Sequence, residues 1–415
     1  MNSAIWWIIQ LGLAGLGTVL LLASLYQFLL GLRGFQGPRL LPRARALRRF
    51  AVLIPAHDEA RVIGPLLRSL QAQTYRGEFD VLVCADNCTD ATAAVAGAHG
   101  AMVLERHDPQ RRGKSWTLRW ALGQIGLERY DAVAMLDADN LAHPEFLERM
   151  NDYLEAHPEA EAVQGYLDTK NPDDSWVTRA IALAYWHSNR FWQLARQHLG
   201  LSGTLGGTGC VIRSRTLRRT GWQPQSLTED LEYTAMLVLG GGRVHWNDWA
   251  VVYDEKPLTL RSSVRQRTRW MQGHFWVLSR YGPRLLRAWL RTRRWQHLDL
   301  LLYLASPVLM LLNFVAMGLA YVLIAAGEGY SLPGQLGVVA SWLGMANAAL
   351  LTAIAPSLHS GRVVLRYLPA LLATVGFGLS WAIPLFSALW LVRDQGRWEK
   401  TEHTRAVPLE ELRRR

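Results

Sequence analysis

The chain has 415 residues, of which 50% are hydrophobic, and a formal net charge of +11 at pH 7. The apolar residues are too unevenly spread for one ordinary soluble globule. Basic chains often bind nucleic acid, but the sequence shows no recognition helix, zinc-finger spacing or aromatic stacking motif, so nucleic acid is not an expected partner. The three cysteines, Cys84, Cys88 and Cys210, fit a reduced domain better than a disulfide framework or a zinc site.

The first predicted element is a transmembrane helix, which we assign to residues 1–33. Residues 1–32 carry no charged side chain, and their apolar stretch exceeds the roughly 20 residues that cross a bilayer. Because neither a basic leader nor a clear cleavage site is present, we expect this helix to be retained. Arginines follow from Arg33 onward. Since basic loops stay in the cytoplasm, we expect a multi-pass protein of the cytoplasmic (inner) membrane with its next domain in the cytosol.

Residues 34–258 are predicted to form that cytosolic domain. Short apolar runs, such as FAVLIPA, FDVLVCAD, AMVLER, DAVAMLDAD and AEAVQGYL, alternate with helical stretches such as ARVIGPLLRSLQAQ and GKSWTLRWALGQI. This alternation predicts an α/β fold, a doubly wound and mostly parallel sheet covered by helices. Ligands of such sheets bind at the carboxyl ends of the strands, where the strand order switches.

Carboxylates follow three of the predicted strands. Asp58 and Glu59 come after the first, Asp86 after the second, and Asp137 with Asp139 after the fourth. Each group alone is as well explained by a strand-terminating turn. Together they indicate a polyanion held through a metal, because Mg²⁺ or Mn²⁺ binds through one or two carboxylates and the phosphates of a substrate such as a nucleoside diphosphate.

Lys114 follows a glycine at the start of a predicted helix, in a chain whose cations are mostly arginines. A solvated cation is one interpretation, although the helix dipole disfavours positive charge there. A diphosphate bound at the same helix start would remove that conflict, so Lys114 is a candidate phosphate ligand.

The C-terminal part of the chain returns to the membrane. Residues 259–297 are predicted to form amphipathic interface helices, since arginines alternate with apolar residues there. Residues 298–393 hold three further membrane segments, which makes about four in all. Both ends of the last segment are basic, so we expect a broken or re-entrant hairpin, with Gly376, Gly378 and Pro384 as helix breakers. Residues 394–415 form a polar cytoplasmic tail.

Five motifs in this order resemble the membrane-integrated family 2 glycosyltransferases, which include cellulose, hyaluronan and poly-N-acetylglucosamine synthases. They are VLIPAHDE, ADNCTD, LDADN, LTED and QRTRW. The resemblance covers most of the chain and implies a GT-A type nucleotide-binding domain that uses a UDP-sugar donor with Mg²⁺ or Mn²⁺.

The resemblance also implies roles for individual residues. Asp58 and Asp86 would bind the uridine, with Glu59 and Lys114 at the same nucleotide-sugar site. Asp137 and Asp139 would hold the diphosphate and its metal. Asp230 would be the general base that deprotonates the acceptor hydroxyl, and Glu229 is its competitor for that role.

Other implied roles lie nearer the acceptor and at the C-terminus. Gln266 and Arg269 would contact the diphosphate, and Trp270 would stack on the acceptor sugar, although the same helix can also lie on the membrane surface. Gly209 and Cys210 match a small-residue loop at the acceptor site, for which a flexible turn is an alternative. Lys400, Thr401 and His403 occupy the position of a gating loop, but the local sequence differs from that of the synthases.

The predicted function is therefore transfer of a sugar from a UDP-sugar, with inversion, onto a growing β-linked polysaccharide. An alternative is transfer of a single sugar onto a membrane lipid, so the acceptor is a carbohydrate or a lipid. A transporter or channel with a regulatory nucleotide-binding domain is disfavoured because the predicted membrane segments carry no charged residue. The sequence does not identify the sugar or any protein partner.

Overall fold

The computed structural model describes residues 3–360 and 368–396. The strands are β1 Phe50–Ala56, β2 Phe79–Asp86, β3 Met102–Arg106, β4 Ala132–Met135, β5 Leu141–Ala142, β6 Ala162–Thr169, β7 Cys210–Arg213 and β8 Val244–Asp254. The helices are α1 Ser3–Gly31, α2 Ile63–Gln71, α3 Thr92–Ala98, α4 Lys114–Gln124, α5 Phe146–Ala156, α6 Trp176–His187, α7 Ala195–His198, α8 Ser214–Thr220, α9 Glu229–Leu239, α10 Leu260–Thr292, α11 Trp295–Ala325, α12 Leu332–Ser360, α13 Leu368–Leu379 and α14 Ala382–Leu391. A π-helix, Ser188–Leu194, joins α6 to α7.

The eight strands form one sheet in the order β3-β2-β1-β4-β7-β6-β8-β5. Strands β1 to β4 pair in parallel. The strand order reverses between β1 and β4, which creates the switch point where ligands bind in doubly wound sheets. The predicted α/β fold class is confirmed, and the five quoted apolar runs all contain strands.

Strand β7 runs antiparallel to both of its neighbours, β4 and β6. It comes from the segment GGTGCVIRS, which the sequence analysis interpreted as a small-residue loop. Only the glycine-rich half of that segment is irregular, because Cys210 begins β7 and is buried in the sheet. The loop assignment for Cys210 is corrected accordingly.

Strand β1 shows how the sequence builds both faces of the sheet. Its side chains alternate, so Phe50, Val52 and Ile54 pack on the same side as α2, while Ala51 and Leu53 pack on the same side as α4. Both faces are buried, as expected for a parallel strand covered by helices, and the strand therefore reads as a continuous apolar run.

Within the described residues, four helical stretches are long and apolar enough to cross a membrane: Ser3–Phe35, Trp295–Ala325, Leu332–Leu358 and Ala373–Leu391. The prediction that the membrane segments carry no charged residue is corrected for one helix. Helix α11 begins before the predicted apolar run and carries Asp299, which is buried and pairs with Arg196 at 2.8 Å. The Tyr26 hydroxyl of α1 also donates to Asp299, at 2.9 Å. This charge therefore connects the first membrane helix to the α/β domain.

The last membrane segment is broken, as predicted, into α13 and α14. The break falls at Ser380 and Trp381. The buried guanidinium of Arg267, on α10, donates to the Ser380 hydroxyl at 2.9 Å and lies over the rings of Phe377 and Trp381. None of the three predicted helix breakers is at the break, because Gly376 and Gly378 lie inside α13 and Pro384 lies inside α14. An arginine of the QRTRW motif thus stabilises the interruption.

Helices α1 and α12 cross with their backbones in contact. A methyl group placed on Gly17 would overlap the backbone of Gly337, and one on Gly337 would overlap the carbonyl of Leu13. Small residues allow such close approach between membrane helices, where packing rather than hydrophobicity drives association.

We expect Gly17→Leu to destabilise the protein, by several degrees in the unfolding temperature in detergent, because the leucine would force α1 away from α12. Gly12→Leu is the matched control, since nothing lies within 4 Å of a methyl group at that position. Equal unfolding temperatures for the two variants would show that this crossing is not a stabilising contact.

Candidate functional site

A cavity of about 590 Å³ lies at the carboxyl ends of β1, β2 and β4, at the switch point of the sheet. Helices α9, α10 and α11 contribute to its lining on the other side. Most of the predicted site residues meet here: Glu59, Asp86, Lys114, Asp137, Asp139, Glu229, Asp230, Gln266, Arg269 and Trp270 all line the cavity. Residues separated by about 200 positions in the chain therefore share one site.

Asp86 occupies the end of the cavity near β2. Its buried carboxylate accepts hydrogen bonds from Arg106 at 2.6 Å and from the Thr117 hydroxyl at 2.8 Å. The Asn87 side-chain amide donates to the same group at 3.0 Å. Because both of its carboxylate oxygens accept hydrogen bonds from protein donors, the Asp86 side chain has a fixed position in the cavity wall.

Asp58 is not among the residues that line the cavity, and its side chain contacts a neighbouring loop instead. Its backbone adopts φ = 54°, a conformation in which asparagine and aspartate are tolerated. Its carboxylate accepts from the backbone N–H of Thr89 at 2.6 Å and of Asp90 at 3.2 Å. Burial opposes ionisation, but these hydrogen bonds lower the pKa of Asp58 overall. In this structure Asp58 connects the loop after β1 to the loop after β2. Its neighbours His57 and Glu59 line the cavity.

Asp137 and Asp139 lie on the turn after β4, with Lys114 between them and α9. The Lys114 ammonium donates to the Asp137 carboxylate and, at 2.8 Å, to the carbonyl of Gly207. Burial alone would lower the pKa of Lys114, but the charges of Asp137 and Glu229 raise it above its ordinary value. Lys114 is therefore a permanent cation inside an acidic site.

The two aspartates fit a divalent cation by the chemistry of their donors. Both carboxylates line the cavity, and carboxylate oxygens are the hard ligands that Mg²⁺ and Mn²⁺ prefer. Two side chains outside the pair fix the position of this turn. The Thr208 hydroxyl accepts from the Asp137 backbone N–H at 3.0 Å, and the buried Lys170 ammonium donates to the backbone carbonyl of Asp139 at 2.7 Å.

Glu229 and Asp230 form the first turn of α9 and face the cavity. The N-terminal end of a helix favours negative charge, so the helix start is a suitable place for two carboxylates. Glu229 is buried and lies 3.8 Å from the Lys114 ammonium. Burial raises the pKa of Glu229 to about 7, although Lys114 opposes the shift, and burial also raises the pKa of Asp230.

The glycine-rich loop before β7 reaches the cavity through Gly206, Gly207 and Thr208. Gly207 has φ = 80° and stands next to Asp230, where a methyl group would lie 3.4 Å from the carboxylate. Gly209 instead packs against Leu167 and Val252, in the interior. Of this segment, the three residues before Gly209 line the cavity, whereas Gly209 and Cys210 do not. Lys400, Thr401 and His403, the predicted gating loop, lie outside the described residues.

Helix α10 presents Gln266, Arg269 and Trp270 to the cavity, as the QRTRW motif implied. Its contact with α9 depends on Gly273. A methyl group there would lie 2.8 Å from the backbone nitrogen of Thr228, the residue before Glu229. The sequence analysis did not single out this glycine. Its close approach fixes the distance between the QRTRW helix and the acidic start of α9.

A second acidic pair in the cavity, Asp254 and Glu255 at the end of β8, also escaped the sequence analysis. Lys256 donates to Asp254 at 2.5 Å, and Lys170 lies 3.2 Å from Glu255. Asp254 is linked to the turn that carries Asp137 and Asp139, because the Asn140 side-chain amide donates to Asp254 at 3.4 Å. The signal was present in the sequence: an apolar run that ends on two carboxylates repeats the pattern of Asp137 and Asp139.

Comparison with known proteins gives a consistent picture. A model of the family described as "Glycosyltransferase like family 2" matches residues 48–273, more than half of the chain. The probable glycosyltransferase YdaM of Bacillus subtilis is 25% identical over 252 residues, which cover 59% of each chain. The beta-monoglucosyldiacylglycerol synthase of Nostoc sp. is 26% identical over 264 residues, covering 62% of this chain and 55% of the synthase. This chain thus matches little more than half the length of these relatives.

Among solved structures, the mannosyltransferase PcManGT of Pyrobaculum calidifontis, in complex with GDP-Man and Mn²⁺, superposes with a TM-score of 0.62. The superposition covers 94% of this chain and 100% of PcManGT, at 18% sequence identity. At that identity the likeness establishes the fold, which is of the GT-A type, and the fold extends over nearly the whole chain.

Proposed function

This chain belongs to the family 2 glycosyltransferases, and from that membership we propose that it transfers a sugar from a UDP-sugar, with inversion, to an acceptor hydroxyl. One observation carries the proposal: the carboxylates of α9 share a cavity with the Asp137 and Asp139 pair. A donor diphosphate held at the pair would place its sugar between the pair and α9. A hydroxyl deprotonated at α9 then attacks the anomeric carbon from the face opposite the leaving group, so an α-linked donor gives a β-linked product.

In this proposal Asp137 and Asp139 hold Mg²⁺ or Mn²⁺ together with the diphosphate. The Mn²⁺ in PcManGT agrees with that cofactor. When bound, the metal stabilises the charge that develops on the departing diphosphate. Lys114 adds a fixed positive charge to the same end of the cavity. Asp86 and Glu59 contact the nucleoside, while Gln266 and Arg269 approach the diphosphate from α10.

Asp230 is the proposed general base, and Glu229 is assigned to holding Lys114. Glu229 lies beside the Lys114 ammonium, whereas Asp230 faces Gly207. Tyr303 of α11 lines the same cavity as Asp230. The cavity that holds the proposed base therefore borders a membrane helix, from which a membrane-bound acceptor would enter.

For the acceptor we propose a growing β-linked polysaccharide, as the resemblance to the synthases implied. The cavity supports this choice, because the rings of Trp270, Trp381 and Tyr303 line it and aromatic faces bind sugar rings. A membrane lipid is the second candidate. It is favoured by the Nostoc relative, whose name states a glucosyldiacylglycerol product. With either acceptor, the arginines after α1 favour a protein of the inner membrane whose catalytic domain lies in the cytosol. The gating role of Lys400, Thr401 and His403 remains a prediction.

The detergent-solubilised protein should be incubated with each radiolabelled UDP-sugar and Mg²⁺ or Mn²⁺, and the labelled product sized. A high-molecular-weight ladder that β-specific hydrolases degrade would support the polysaccharide. A single lipid-extractable species would replace it with the lipid acceptor. No transfer from any UDP-sugar would contradict the proposed donor.

The pH dependence of kcat/KM should report Glu229. Because the pKa of Glu229 is raised to about 7, its carboxyl group is neutral below that pH and charged above it. When Glu229 is charged, it competes with Asp137 for the Lys114 ammonium. The Asp137 carboxylate is then less tightly held by Lys114 and is available to bind the metal. We expect kcat/KM for the donor to rise through an inflection near pH 7 and Glu229→Gln to remove the inflection. An inflection that survives in this variant would assign it to another group.

Gly273→Ala should lower kcat by about tenfold or more, since the methyl group pushes α10 away from the start of α9 and small displacements at a catalytic site are costly. Gly282→Ala on the same helix is the control, because a methyl group there first meets the flexible Leu278 side chain, at 3.2 Å. If both variants retain the kcat of the unmodified protein, the contact with Thr228 does not position the catalytic carboxylates.

A further inference from the structure

His274 lies one helical turn after Trp270 on α10, and both side chains line the cavity. Residues four apart lie on the same face of a helix, so the two side chains follow one another along the wall. The His274 ring stands 5.4 Å from the ring of Tyr303 on α11. His274 therefore marks the end of the cavity that borders a membrane helix, beyond the residue assigned to stacking on a sugar.

The Nε2 atom of His274 is buried and has no hydrogen-bond partner among the residues that the structure describes. The hydroxyl oxygens of Ser226 and Thr228, which line the same cavity, are in the same situation. Buried polar groups are nearly always hydrogen-bonded, and an unsatisfied one costs about 1–3 kcal/mol. Such atoms at the wall of a binding cavity are suited to a ligand that supplies the missing hydrogen bonds.

The charge state of His274 limits what that ligand is. Burial lowers the pKa of His274 to about 4, and the nearby backbone carbonyls of Tyr303 and Leu304 oppose this shift only in part. The imidazole is therefore neutral at physiological pH. Its one N–H is directed to those carbonyls, which leaves the Nε2 atom to accept a hydrogen bond from a ligand. A neutral ring is suited to a hydroxyl group and gives little to a diphosphate, whose cationic partner Lys114 is elsewhere in the cavity.

The end of the cavity near Tyr303 belongs to the same cavity as the proposed general base. Tyr303, Thr204 and the proposed base, Asp230, line the same cavity as His274. A ligand that contacts His274 and Tyr303 therefore occupies the cavity that also holds the carboxylate proposed to deprotonate it. The acceptor is the reactant that brings neutral hydroxyl groups to this base.

We propose that His274, supported by Tyr303, binds a neutral hydroxyl group of the acceptor at the membrane end of the cavity. This inference rests on the proposed function. It makes His274 a residue that selects the acceptor, with no part in binding the nucleotide. The hydroxyl group has two possible sources, a saccharide or a lipid headgroup, and the probes of the test distinguish them.

The test compares His274→Phe with His274→Gln in the full-length protein. Phenylalanine keeps the ring against Tyr303 but removes both nitrogens, whereas glutamine restores a polar group near the position of Nε2. The probes are octyl β-glucoside for a saccharide acceptor and 1,2-dioctanoylglycerol for a lipid. We expect His274→Phe to lower kcat/KM for the accepted probe by about tenfold or more, with the KM of the UDP-sugar unchanged and with partial recovery in His274→Gln.

The outcomes separate this inference from the function on which it rests. If the unmodified protein transfers sugar to neither probe and forms no labelled ladder from the UDP-sugar alone, the proposed function fails for both acceptor classes, and the inference fails with it. If it forms the ladder but uses neither probe, only the inference fails, since the acceptor site then does not bind such hydroxyl groups. If transfer occurs but His274→Phe leaves the KM and kcat for the probe unchanged, only the inference fails. It also fails if glutamine is as poor as phenylalanine, or if the donor KM changes as much as the acceptor KM, since a structural defect would produce either result.

Discussion

Asp230→Asn is expected to abolish sugar transfer while UDP binding is retained. Asparagine has nearly the shape of aspartate but cannot accept the proton of the acceptor hydroxyl. General-base catalysis typically contributes about 10²- to 10⁴-fold, so kcat should fall by that factor. UDP binding should persist because Asp137, Asp139 and Lys114 remain in place. Single-turnover transfer and calorimetric titration with UDP measure the two quantities separately.

Glu229→Gln is the informative comparison, since Glu229 is the neighbouring carboxylate in the same cavity. We assign Glu229 to holding Lys114, so Glu229→Gln should mainly raise the KM of the donor. An Asp230→Asn variant that keeps full activity, beside an inactive Glu229→Gln variant with normal UDP binding, would reverse the two roles.

Asp139→Asn is expected to lower activity by 100-fold or more and to weaken Mn²⁺ binding. The structure holds the turn of Asp137 and Asp139 by the Thr208 hydroxyl and by Lys170, so the loss would come from the missing charge rather than from a moved loop. Treatment of the unmodified protein with EDTA should remove activity, and added Mn²⁺ or Mg²⁺ should restore it. The variant should need much more metal to reach the same rate.

Asp173→Asn provides the matched control, because Asp173 pairs with Arg179 at 3.3 Å and is not among the residues that line the cavity. Its metal response should equal that of the unmodified protein. Full activity after exhaustive EDTA treatment, or an unchanged metal requirement in Asp139→Asn, would contradict a metal held by this pair.

The sequence was informative where one local pattern determines the structure. The continuous apolar run of β1, with helices on both sides, predicted a parallel strand. The carboxylates after three of the predicted strands predicted a crevice at the carboxyl ends of those strands. The uncharged stretches predicted the membrane helices. Basic residues at both ends of the last segment predicted its interruption, because a helix that crosses the membrane once cannot place both of its ends in the cytoplasm.

The sequence was less informative where a tertiary contact determines the role of a residue. Asp58 belongs to a recognised motif, yet its carboxylate turns toward Thr89 and Asp90. Cys210 follows four glycine and threonine residues, and only pairing with β4 and β6 makes it part of a strand. Gly273 and His274 look unremarkable on α10 until α9 and α11 are packed against that helix.

The central claim is transfer from a UDP-sugar with inversion, and proton NMR of the purified product tests it most directly. The anomeric proton of the transferred sugar should show the large coupling of a β-linkage for a glucose-type sugar, with one UDP released per sugar transferred. An α-linked product, or a product formed without release of UDP, would contradict the account.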